Sequence, residues 1–138
     1  MKLSVVLDEG AIMPTRAHED DAGLDLYSQE NQIVSAKEAG YFDTGVHIEI
    51  PKGFVGMLKS KSGLNVRFGI VSEGVIDAGY TGSIVVKLYN HGGYDYRVKR
   101  GDKISQLVIL PIITPELEEV KELEQTSRGS GGFGSTGR

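Results

Sequence analysis

Five short segments carry the residue types that could do chemistry, and most of them suit phosphate. Lys59-Ser60-Lys61-Ser62-Gly63 sets two ammonium groups and two hydroxyls beside a glycine that permits close backbone approach, a combination matched to phosphate oxygens. With Ser60 as cap, residues 60–64 could form one helical turn whose N–H groups face an anion. The Walker A spacing Gly-x-x-x-x-Gly-Lys-Ser/Thr occurs nowhere, and an exposed lysine-serine loop is the plain alternative. Gly74-Val75-Ile76-Asp77-Ala78-Gly79-Tyr80-Thr81-Gly82 is a hairpin signal that can offer main-chain groups to a flat heterocycle, Tyr80 to a sugar and Asp77 as a carboxylate. An ordinary hairpin with Asp77 as turn former fits the same letters.

Three further segments are ambiguous by themselves. Asp25 follows a glycine turn in Asp21-Ala22-Gly23-Leu24-Asp25 and reads either as a site carboxylate or as a strand-end group bonded locally. Gln106 shares the face of Ile104 and Val108 in an apolar strand, so it needs a partner if buried, unless it faces solvent on an edge strand. Residues 127–138 hold five glycines, three serines, Arg128 and one aromatic, Phe133. That composition suits a floppy tail, or a lid that closes by stacking and phosphate pairing.

The elements that must position these groups are short strands. Apolar residues alternate at Leu3, Val5 and Val6, at Val46, Ile48 and Ile50, at Phe54, Met57 and Leu58, at Ile84, Val86 and Leu88, and from Ile104 to Leu110. Turn-forming clusters divide them, and 19 glycines in 138 residues are about twice ordinary usage. The pattern predicts an all-β barrel or sandwich. A charged stretch, residues 116–124, is the one further helix candidate and could equally be an edge strand. The expected organisation is one domain, with residues 1–126 as the barrel and 127–138 as its flexible C-terminal lid.

Composition narrows the classes of function. Fifteen basic against 19 acidic residues give a net charge of -4, the wrong sign for a nucleic-acid coat. Without cysteine there are no disulfides, thiolate zinc sites or Cys nucleophiles, and His18, His47 and His91 have no metal-ligand spacing. The apolar run at the N-terminus is too short for a signal peptide or a bilayer span, so no membrane association and a cytoplasmic location are expected.

In order and spacing, the five segments resemble the five motifs of the trimeric dUTP nucleotidohydrolases, the dUTPases, over residues 21–137. The resemblance implies a distorted jelly-roll β-barrel, a homotrimer with active sites at subunit interfaces, and conversion of dUTP and water to dUMP and pyrophosphate. It would thereby limit uracil incorporation into DNA and supply dUMP for dTMP synthesis. Asp77 would be the general base for water attack on the α-phosphorus. Gly74, Val75 and Ile76 would read the uracil edge through their main chain, and Tyr80 would stack under the deoxyribose. Ser62, Gly63 and Gln106 would bind the phosphates, with Lys61 and Arg128 adding charge and Phe133 covering the base. Mg²⁺ would ride on the triphosphate, with Asp25 holding it through a water.

Two positions depart from the family pattern. Lys61 stands where arginine is common, a point charge in place of a bidentate fork, and Gly79 stands where many relatives carry a second aspartate. The nearest alternative is a dCTP deaminase of similar barrel, for which Glu73 would be the extra carboxylate. Another is a dUTPase scaffold with an added regulatory protein partner.

Overall fold

A computed structural model describes residues 1–137. Eleven strands and one short helix follow one another in chain order. The strands are β1 (Val5–Leu7), β2 (Gly23–Tyr27), β3 (Gln32–Val34), β4 (Ala39–Asp43), β5 (Val46–Ile48) and β6 (Phe54–Lys59), then β7 (Ile70–Val71), β8 (Glu73–Ile76), β9 (Val85–Asn90), β10 (Tyr96–Val98) and β11 (Lys103–Pro111). The helix, α1 (Ser62–Phe68), lies between β6 and β7. The pairings are antiparallel, in a four-stranded sheet β2-β11-β6-β8, a three-stranded sheet β4-β9-β7, and the two-stranded sheets β1-β5 and β10-β3.

Period-two alternation builds the interior. On β9, Val86, Leu88 and Asn90 are buried while Val85 and Tyr89 face out; on β4, Phe42 is buried between exposed Tyr41 and Asp43. The inward residues of both larger sheets, including Leu26, Phe42, Leu58, Val86, Leu88 and Leu107, join one apolar cluster. Truncating a side chain as enclosed as Phe42 to alanine would cost about 3–5 kcal/mol. The one deep amide, Asn90, is fully used: its Nδ2 donates to the Val34 and Tyr94 carbonyls at 2.9 Å, and its Oδ1 accepts the Gly92 N–H. The result is the expected distorted jelly-roll barrel.

Two local expectations are corrected, and the edge-strand alternative for Gln106 is excluded. The helix is two turns, and Lys61, not Ser60, occupies its N-cap, with no side-chain cap bond. Ser60 is taken by tertiary structure instead, since its hydroxyl accepts the Ser72 N–H at 3.0 Å and donates to the Ser72 carbonyl. Residues 116–124 are neither helix nor strand, and their apolar side chains Leu117, Val120 and Leu123 stay exposed, so no packing offsets the cost of ordering them. Gln106 is not on an edge, because β11 is flanked by β2 and β6.

Candidate functional site

A row of polar residues crosses the outer face of the four-stranded sheet. Gln106 on β11 is directly opposite Asp25 on β2 and Lys59 on β6, and Lys59 is opposite Glu73 on β8. Opposed residues in antiparallel strands share a face, so Asp25, Gln106, Lys59 and Glu73 form one line. Lys59 Nζ meets Glu73 Oε1 at 2.5 Å in the open.

Asp25 is enclosed, with 7% of its side chain exposed, and each oxygen has its own cation. Lys61 Nζ lies 2.5 Å from Oδ1 and Lys103 Nζ 2.9 Å from Oδ2. Burial opposes ionisation of Asp25, but hydrogen bonds from Lys61 and Lys103, with their charges, outweigh it and hold the carboxyl below its ordinary range. The same bond from Asp25 pushes the Lys103 ammonium above its ordinary range.

Gln106 Nε2 donates to the Ser60 carbonyl at 2.9 Å, which answers the need for a partner. Its side chain runs against the backbone of Gly23, where a Cβ would stand 2.9 Å from Gln106 Cβ, so only glycine admits the amide there. Ser105 Oγ donates to the Lys59 carbonyl at 3.0 Å and bonds Ser72 Oγ at 2.7 Å. Ser60, Ser72, Ser105 and Gln106 therefore pin the turn that delivers Lys61 to Asp25 and starts α1 at Ser62. This half of the site offers cations, a hydroxyl and an amide, the donors a polyphosphate needs.

The other half is the hairpin after β8. Ile76 is buried, Val75 is exposed, and the chain turns at Asp77–Tyr80 with the Tyr80 N–H donating to the Asp77 carbonyl at 3.2 Å. The Tyr80 hydroxyl donates to the Ser83 carbonyl at 2.9 Å, laying the ring over Gly82, where a Cβ would fall 2.6 Å from Tyr80 Cζ. Ser83 Oγ in turn donates to Asp43 Oδ1, which also accepts the Gly45 N–H at 2.9 Å. Those bonds hold the Asp43 carboxyl below its usual range. The aromatic ring is thus presented on a braced loop.

One chain keeps these halves apart. Lys59 pairs with Glu73 at one end of the β6–β8 ladder and Gly56 pairs with Ile76 at the other, three steps or about 10 Å away. Ser62 continues beyond the first end and Asp77 beyond the second. The tail joins neither half: the hydrogen bonds recorded for residues 126–137 stay within that segment, with Arg128 Nε donating to the Gly131 carbonyl at 2.8 Å and Phe133 fully exposed.

Lys103 escaped the sequence reading. Lys103 stands in the Gln106 segment, but its reach to Asp25 depends on a register shift between Lys103 and Ser105 that no residue type announces. A cation three residues before Gln106 was the available hint. Among the described residues no group of three or more His, Cys, Asp or Glu side chains could hold a metal ion, so a divalent cation here would need oxygens from its ligand.

The dUTPase family model matches residues 9–137. A deoxyuridine 5'-triphosphate nucleotidohydrolase of Clostridium acetobutylicum is 44% identical over 134 residues, covering 95% of this chain and 92% of its own. The solved structure of the Staphylococcus bacteriophage 80alpha dUTPase with dUpNHpp superposes with a TM-score of 0.93 at 35% identity, covering 99% of each chain. A variant dUTPase from phage phi11 of S. aureus, described as revealing the coordination of a structural Mg(II) ion, superposes with a TM-score of 0.83 at 36% identity, covering 91% of this chain and 100% of that one.

Proposed function

Because the chain belongs to the dUTPase family and is a dUTP diphosphatase, we propose that it splits dUTP to dUMP and pyrophosphate at sites composed between the subunits of a cytoplasmic homotrimer. The observation that carries this is the separation of the two half-sites along β6 and β8. The phosphate donors of one copy and the Asp77–Tyr80 hairpin of another form a complete set, whereas one copy leaves both halves unfinished.

In the joined site, the Asp77 carboxylate accepts a proton from water as its oxygen attacks the α-phosphorus. The bond to the α,β-bridging oxygen breaks, and pyrophosphate leaves. Ser62 and Gln106 hold the α-phosphate region by hydrogen bonds, and Lys61, released from Asp25 toward the phosphates, offsets charge on the leaving group. The Gly74–Ile76 main chain reads the uracil edge, where a C5 methyl would collide with backbone, and the Tyr80 ring under the sugar leaves no room for a 2′-hydroxyl. Arg128 grips the terminal phosphate and Phe133 lies over the base when the tail closes.

The donor set fits Mg²⁺ carried by the triphosphate rather than caged by protein, because among the described residues Asp25 belongs to no group of three or more potential metal ligands. Bound there, the ion would neutralise phosphate charge, with Asp25 holding it through a water.

A pyrophosphate-release assay with dUTP, dTTP, UTP and dCTP side by side tests the reading. Release from dUTP alone is expected. Equal release from UTP or dTTP would refute the roles of Tyr80 and of the main chain, and ammonia from dCTP would point to Glu73 chemistry instead.

A further inference from the structure

His47, on β5, sits away from both half-sites yet touches the loop that carries Tyr80. Its Nδ1 is 2.7 Å from the Thr81 carbonyl oxygen and its Nε2 is 3.0 Å from Asp8 Oδ1. Both neighbours accept hydrogen bonds and neither donates. A neutral imidazole carries one N–H and can satisfy one of them, whereas the imidazolium donates to both. Thr81 lies between Tyr80 and Gly82, whose positions depend on each other through the ring-over-glycine contact.

We propose that His47 is a positioning residue for substrate binding: as imidazolium it ties the Tyr80 loop to Asp8 after β1, and on losing its proton it lets that loop loosen. The charged groups around the ring agree. Asp8 touches it, Asp43 on β4 acts on it from the loop's other anchor, and Glu49 lines the same groove, where no cation is found among the described lining residues. The bond to Thr81, then the bond and charge of Asp8, push the imidazolium above its ordinary range despite some desolvation. A raised value places the brace below that titration and removes it as pH rises through it. This inference rests on the proposed role of Tyr80 under the deoxyribose.

The test is the pH dependence of KM and kcat of the intact enzyme, wild type against His47→Gln and Asp8→Asn. The wild-type KM for dUTP should rise roughly three- to tenfold between about pH 6.5 and 9 while kcat changes far less. His47→Gln should start with a high KM and lack the rise, and Asp8→Asn should move the rise to lower pH by removing the carboxylate. Nitrogen-15 spectra of histidine-labelled, nucleotide-free protein should show both His47 ring nitrogens protonated at the low end, with Thr81 and Gly82 amide shifts following the same titration. Identical KM profiles in all three proteins, or a His47 titration that leaves those amides unmoved, would overturn the brace. Should wild type cleave no dUTP at any pH, the functional reading fails and the spectra alone decide on the brace.

Discussion

Asp25 is the most constrained charge of the site, and its two lysines do different work. Lys61 rises from the turn before α1 and in the proposed mechanism exchanges Asp25 for a nucleotide, while Lys103 comes from β11 and, like Lys61, favours the ionised carboxylate. Asp25→Asn should therefore lower stability at neutral pH by about 1–3 kcal/mol, measured by denaturant unfolding. The folded carboxyl is depressed, so its contribution is complete above the unfolded value near pH 4 and disappears as pH falls through the lower folded value. The variant and wild type should converge there, and a difference that persisted well below that range would contradict the ion-pair account. Asp77 is different, an exposed turn carboxylate whose proposed task is that of general base. Asp77→Asn should bind dUTP nearly as well as wild type, by calorimetry, and turn it over about 100- to 10,000-fold more slowly.

At the scale of elements, backbone proximity decides what the side chains can do. Gly23 on β2 makes room for Gln106, so Gly23→Ala should displace the amide from Ser60 and reduce kcat/KM at least tenfold while thermal unfolding shifts only a few degrees; unchanged kinetics would refute the contact. The strands of the interior were legible from alternation, as β6, β9 and β11 show, whereas Asp25, Lys61, Asp77, Tyr80 and Gln106 were singled out by their motif segments and gain roles only through the family resemblance. Register was not legible. The Lys103 link needs the bulge in β11, and the His47 contacts need β5 to lie across from Thr81, a pairing separated by 34 residues that local patterns do not encode. The Ser60 cap failed for the same reason, because Ser72, in the link between β7 and β8, claimed the hydroxyl first.

At the scale of the whole molecule, one described chain leaves apolar side chains exposed beyond the barrel. Past Pro111 the path carries exposed Ile113, Leu117 and Leu123, and beyond them the hydrogen bonds of residues 126–137 stay within the tail. Ending the chain after Thr126 should leave the barrel folded, with unchanged far-ultraviolet circular dichroism, and lower kcat/KM at least tenfold through loss of Arg128 and Phe133; full activity would remove the tail from the site. Sedimentation at micromolar concentration should give a trimer, and an active monomer would contradict composed sites.

Subunit mixing goes furthest toward deciding between one-chain and composed sites. Asp77→Asn and Gln106→Ala proteins, each nearly inactive, should be unfolded together in equal amounts and refolded, then assayed for pyrophosphate release from dUTP. If the hairpin and the phosphate donors come from different copies, about one site in four receives both intact halves, and roughly a quarter of wild-type activity returns. If every site belongs to one chain, each carries a defect, and the mixture stays as inactive as its parents.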